Sequence, residues 1–126
     1  METTIELDLL TYNKISKEDL FISNSFKICR FESMGSIGTN GRFKGVPINY
    51  SSATIACKTH LNDNRQIELL CKCKVDLENS LQLSNPIWRL DIGVFSNDMY
   101  SIDLDIDTIS IIKRANLGIA ISFYAH

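Results

Sequence analysis

The sequence predicts an α+β fold: a mostly antiparallel, curved sheet of six or seven strands, backed by one main C-terminal helix. Three observations carry that expectation. Apolar and polar residues alternate in a series of separate short stretches, the period of a half-buried strand. One window, residues 108–116, carries an apolar stripe at helical spacing. Clusters of Gly, Asn, Asp and Ser punctuate the rest. The 126 residues, 44% hydrophobic and 22% charged, suit a single domain spanning 1–126, with no internal repeat.

The elements follow in order. Ile5, Leu7 and Leu9 alternate with Glu6 and Asp8 in a first strand. Residues 16–19 read as a turn with Ser16 as a cap, and Leu20, Phe21 and Ile22 return the chain to the core. Phe26 to Glu32 is a second strand, with Lys27, Cys29 and Phe31 on one side. It runs into a long, mobile, glycine-bearing loop over residues 33–49. Ser52 to His60 reads as extended, and Asn62, Asp63 and Asn64 as a turn. Ile67, Leu69, Cys71, Cys73, Val75 and Leu77 recur at a spacing of two, which predicts a strand over 67–77 paired with 52–60 as a hairpin. In Ile87 to Phe95, Trp88, Leu90, Ile92 and Val94 face inward, and Gly93 marks a bulge or a close backbone approach. Residues 101–107 alternate strictly. A helix over 108–116 then places Ile109, Ile112 and Ala115 on one stripe, Gly118 stops it, and residues 119–124 close the chain as a strand.

Charge and composition exclude several function classes. No apolar run is long enough for a membrane span, and Glu2, Glu6 and Asp8 stand where a secretory signal would be basic. A cytoplasmic protein with four reduced cysteines is expected. The net charge of −2 and the isoelectric point near 5.6 provide no field for nucleic acid. Lys72 and Lys74 are offset by Glu68 and Asp76, so no direct nucleic-acid contact is expected.

The functional clue is acidic. Asp103, Asp105 and Asp107 interleave with Ile102, Leu104 and Ile106, so an extended chain places three carboxylates on one face. A calcium loop starting at Asp103 fails, because Thr108 and Arg114 stand where Gly and Glu are needed. Two readings remain: a solvated strand face, or a recognition surface that pairs with Lys and Arg of a basic partner, helped by Asp91 or Asp98. The glycine loop holds Arg42 and Lys44 but matches neither a P-loop nor a dinucleotide fingerprint; a role in contacting a partner suits its composition better than catalysis. Cys71 and Cys73, two apart, lack zinc-ribbon spacing and read as buried small hydrophobes. His60 and His126 offer no nucleophile–base pair. A non-enzymatic protein without cofactor or metal is therefore expected.

Within Asp91 to Tyr124, three features stand out: the strand ending Gly93, Val94, Phe95, Ser96; the helix through Ile109 and Ile112; and the close through Leu117, Gly118, Ile119, Phe123 and Tyr124. Together they resemble a family of small bacterial α+β domains, some of which look like immunity proteins of toxin systems. The N-terminal part departs from that family, which places a clear helix after its first strand. The resemblance implies an immunity-like antitoxin that meets a cognate protein toxin, such as a nuclease, and it carries over no catalytic residue. The expected partner-binding residues are Asp98, Asp103, Asp105, Asp107, Arg42 and Lys44, with Glu68 as an accessory charge. The alternative is a small-ligand-binding or chaperone-like module that uses a cavity lined by Trp88, Phe95 and Phe123. Edge strands also allow a homodimer.

Overall fold

The computed structural model describes residues 2–39, 41–96 and 102–124. Five strands, β1 (Glu2–Thr11), β2 (Phe26–Glu32), β3 (Ser51–Cys57), β4 (Ile87–Phe95) and β5 (Gly118–Tyr124), form one sheet in the order β2-β3-β1-β4-β5. Helices α1 (Asp63–Ser80) and α2 (Ile106–Arg114) complete an α+β architecture. The sheet is mixed. Every neighbouring pair is antiparallel except β4 and β5, which run parallel and so need α2 as a crossover between them.

The largest departure from the sequence reading is at 67–77, which is not a strand but the middle of α1. Asn62 is its N-cap, its side chain accepting a 2.9 Å bond from the Arg65 amide, so the expected turn at 62–64 is a helix start. Ile67, Leu70, Cys71, Cys73, Lys74 and Leu77 are buried, a spacing that fits 3.6 residues per turn and not two. Glu, Leu and Lys dominate the segment and favour helix. The hairpin expected between 52–60 and 67–77 is therefore absent, and β3 pairs with β1 and β2. The strand number falls from six or seven to five.

One face of the sheet builds the core. Ile5, Leu7 and Leu9 of β1, Ala53 and Ile55 of β3, and Trp88, Leu90, Ile92 and Val94 of β4 pack under Ile67, Leu70, Cys71, Cys73 and Leu77 of α1. Fully burying each such aliphatic contributes about 1.5–3 kcal/mol before chain entropy is charged against it. β1 and β2 both oppose β3, so they run parallel, and residues 12–25 cross from one to the other as a strap. Ile15 and Leu20 anchor that strap in the core. A single 3-10 turn, Glu18–Leu20, is held by reciprocal bonds: Ser16 N–H donates to Asp19 Oδ2 at 2.8 Å and Asp19 N–H to Ser16 Oγ at 3.3 Å. In β2 a register shift between Ile28 and Arg30 leaves Cys29 unpaired, so Phe31 joins the face of Phe26 and Ile28 instead of that of Lys27.

Burial decides the chemistry of the helix cysteines. The Cys71 and Cys73 thiols are 1% exposed, and loss of solvation pushes them up to about 11 and about 12 from 9.0. Up to about pH 9 the native and unfolded chains both keep these protons; above it the unfolded chain releases them while the native chain holds them. Stability is therefore expected to fall from about pH 9 upward, by about 1.4 kcal/mol per pH unit for each thiol. Denaturant titrations across that range check the slope, and a Cys71→Ala, Cys73→Ala double variant should show a flatter alkaline limb.

Candidate functional site

The acidic stretch is not a strand. Residues 102–105 run extended without pairing into α2, with Ile102 and Leu104 packed against the core and Asp103 and Asp105 exposed, so the expected alternation survives without a sheet. The Asn64 side chain on the first turn of α1 fixes this run: its Nδ2 donates to Asp103 O at 3.1 Å, and its Oδ1 accepts from Asp105 N–H at 2.9 Å. Asp105 is the N-cap residue of α2 and Asp107 lies in its first turn, where the helix dipole favours negative charge. Asp63 occupies the same place on α1 and accepts a 3.0 Å bond from Thr3 Oγ1. Two helix starts thus gather Asp63, Asp103, Asp105 and Asp107 at one end of the molecule. Among the described residues, Asp103, Asp105 and Asp107 take part in no ion pair. Asp98 lies outside the described residues.

Beside these carboxylates the surface is apolar. Ile106 is 82% exposed and Ile109 51%, one turn apart on α2, whereas the alternation over 101–107 and the apolar stripe of 108–116 predict that both face inward. The buried stripe of α2 is instead Thr108, Ile112 and Ala115. On β5, Ile119, Ile121 and Phe123 stand opposite Leu90, Ile92 and Val94, the core row of β4, yet all three are exposed, Phe123 to 69%. The cause lies in how α2 is held. Lys74 of α1, 2% exposed, donates to the Ala115 carbonyl at the C-cap of α2 at 2.6 Å and pairs with Glu78 at 2.6 Å. That clamp draws α2 against α1, so it makes little contact with β5. The last strand is left as a sheet edge with an uncovered apolar row, a feature that soluble folds ordinarily blunt.

Arg42 and Lys44 are not brought to this surface. They sit in the connection between β2 and β3, at the edge strand farthest from β5. That connection leaves the sheet where β1 ends, whereas the acidic residues lie where β1 begins. The described part of this glycine loop is internally hydrogen-bonded. Backbone bonds Gly35 N–H to Ile48 O (2.8 Å), Ile48 N–H to Ser36 O (2.8 Å) and Gly38 N–H to Val46 O (2.9 Å) fold it on itself, and the Arg42 guanidinium lies 5.6 Å over the Phe43 ring. Gly38 is needed there because a Cβ would run into the Phe43 carbonyl. Glu68 stays on α1 as the partner of Arg65 at 3.3 Å.

A second polar region went unseen in the sequence because it forms only when β1 and β4 pair. On the sheet face away from the helices, a groove of about 370 Å³ includes Glu6, Asp8, Arg30, Arg89 and Asp91. Arg89 Nε donates to Asp91 Oδ1 at 2.9 Å and its other arm lies 3.8 Å from Asp8, which also accepts from Thr54 Oγ1 at 2.8 Å. Arg89, Asp91 and Asp8 satisfy one another, as expected of a solvated sheet face. Gly93 allows a close approach here without a bulge: a Cβ would lie 2.6 Å from Thr4 Oγ1, beside the stacked rings of Phe95 and Tyr124 at 4.8 Å. Trp88, Phe95 and Phe123 are not brought together, because Phe95 is on the sheet face opposite Trp88 and Val94. Trp88 is in the core, Phe95 borders the polar groove and Phe123 faces solvent opposite Val94.

Among the described residues, no group of three or more His, Cys, Asp or Glu is arranged to hold a metal ion. Burial leaves Cys71 and Cys73 as unreactive thiols, and Cys57 is also pushed up by desolvation. No helix of the described residues is long and apolar enough to cross a membrane. Comparison with protein-family models, curated proteins and solved structures finds no match for this chain. The candidate site thus rests on geometry: exposed apolar residues on α2 and on β5, with carboxylates at the start of α2 that are in no ion pair among the described residues.

Proposed function

We propose that this protein is an immunity-like binding protein that neutralises a bacterial toxin, such as a nuclease, by docking over its basic cleft. One observation carries the reading. Ile106 and Ile109 on α2, adjoining Asp103, Asp105 and Asp107 along the chain, stay exposed, and so do Ile119, Ile121 and Phe123 on β5, on the helix side of the sheet. An apolar centre with a charged rim is the anatomy of a protein interface. The apolar row supplies desolvation energy, and the carboxylates steer and select a cationic partner, standing in for the phosphates of its substrate. Such a protein acts in the cytoplasm of the toxin-producing cell and needs no cofactor.

Capture from cells of origin with the wild-type chain and with an Ile121→Lys, Phe123→Lys variant tests the reading. Both side chains are exposed, so the fold should hold. Loss of such anchors is expected to weaken binding by about 2 kcal/mol or more, roughly thirtyfold. Equal capture by both proteins sinks the proposal. So does a wild-type homodimer that the variant converts to monomer with no other protein bound, because the row would then serve self-association.

A further inference from the structure

A second surface, at the opposite edge of the sheet, has a different chemistry. The strap over residues 12–25 does not close fully onto β2 and β3, and the gap is a cleft of about 610 Å³. Its strap wall is Leu20, Phe21 and Ile22, and its sheet wall is Phe26, Ile28 and Ile55. Lys17 and Lys58 stand around these apolar walls, against a single acid, Glu18, while Lys27 of β2 borders the cleft from the strand whose next residue, Ile28, forms the wall. Among the described residues none of the three lysines is in an ion pair, whereas Arg65, Lys74 and Arg89 all are. Phe21 is 66% exposed at the mouth, the position of a side chain that an occupant would cover. The volume lies in the range of small-molecule sites.

We infer that this cleft binds a single-chain anionic amphiphile, a fatty-acid carboxylate, with its alkyl chain between the apolar walls and its head near Lys17 and Lys58. Lining chemistry selects this class. Ser23 is the one neutral side chain with a hydroxyl among the lining residues, so sugars and nucleobases would leave their polar groups unpaired. A peptide strand added to β2 fits less well, because the shift at Ile28 to Arg30 interrupts that edge, and Lys27 and Arg30 guard it with charge. The free lysines supply the attraction that an uncharged chain would lack, and their stems extend the apolar walls.

Calorimetric titration of the full chain with decanoate, below its micelle concentration, tests the inference against decyltrimethylammonium, which has the same chain and the opposite charge. One decanoate per chain is expected, bound about tenfold or more tighter than the cation. Lys17→Glu with Lys58→Glu should cancel or reverse that preference. Phe21→Asp should abolish decanoate binding at an unchanged melting temperature, since the ring is exposed in the folded chain. Absence of decanoate binding, equal binding of both ions, or indifference to these variants overturns it. A wild-type dimer that Phe21→Asp dissolves also overturns it, by giving the cleft to a second copy.

Discussion

Replacing Lys74 by alanine is expected to lower the unfolding free energy by about 2–4 kcal/mol. Two losses combine in that figure. The aliphatic stem of Lys74 is buried between α1 and α2, so its removal leaves a void, and the Ala115 carbonyl at the end of α2 loses the ammonium that caps it. The Glu78 pairing adds little, because the Glu78 side chain is 40% exposed and rehydrates when its partner leaves. Lys74→Met separates the two losses. Methionine refills the volume without a donor, so it should cost about 1–2 kcal/mol, the penalty for one buried carbonyl left unsatisfied. Denaturant unfolding of the three proteins checks the order, wild type above methionine above alanine. A methionine variant as stable as wild type would show that the cap contributes nothing, and the account of why α2 leans away from β5 would lose its cause.

Converting Asp103, Asp105 and Asp107 together to asparagine is expected to change binding far more than folding. Asparagine keeps the shape of each side chain and is itself a favoured N-cap at position 105. The interaction of Asp105 and Asp107 with the helix dipole is lost, at a cost of about 0.3–1 kcal/mol for each. The association rate with a cationic partner responds differently, because three exposed, unpaired charges act together on the encounter. A fall of about ten- to a hundredfold at low salt is expected, shrinking as salt screens the wild-type field.

Much of the fold could be read from residue patterns, and the errors have identifiable causes. β4 was legible because Trp88, Leu90, Ile92 and Val94 are apolar on one face while Arg89 and Asp91 meet water on the other, a pattern that only a half-buried strand satisfies. The segment 67–77 was not, because Ile67, Leu69, Leu70, Cys71, Cys73, Val75 and Leu77 satisfy both periods. What distinguishes the helix is the Asn62 cap and an arc of burial wide enough to serve the sheet and α2 together. Lys74 sits on that arc, where a charge reads from sequence as a surface position. The parallel placement of β5 beside β4 depends on the crossover and leaves no local pattern. At the candidate site, the carboxylates were legible from their alternation, although Asn64 rather than a neighbouring strand holds them. The exposure of Ile119, Ile121 and Phe123 was hidden, since an apolar row reads the same whether or not a helix covers it.

The proposed function requires that the exposed apolar residues of α2 and β5, with the carboxylates at the start of α2, meet a basic protein. Its most direct test is the association rate of the captured partner with wild-type protein and with the Asp103→Asn, Asp105→Asn, Asp107→Asn variant, measured across a series of salt concentrations. The expected result is a steep decline with salt for wild type, a shallow one for the variant, and convergence of the two at high salt. Parallel, superimposed salt profiles for the two proteins would contradict it.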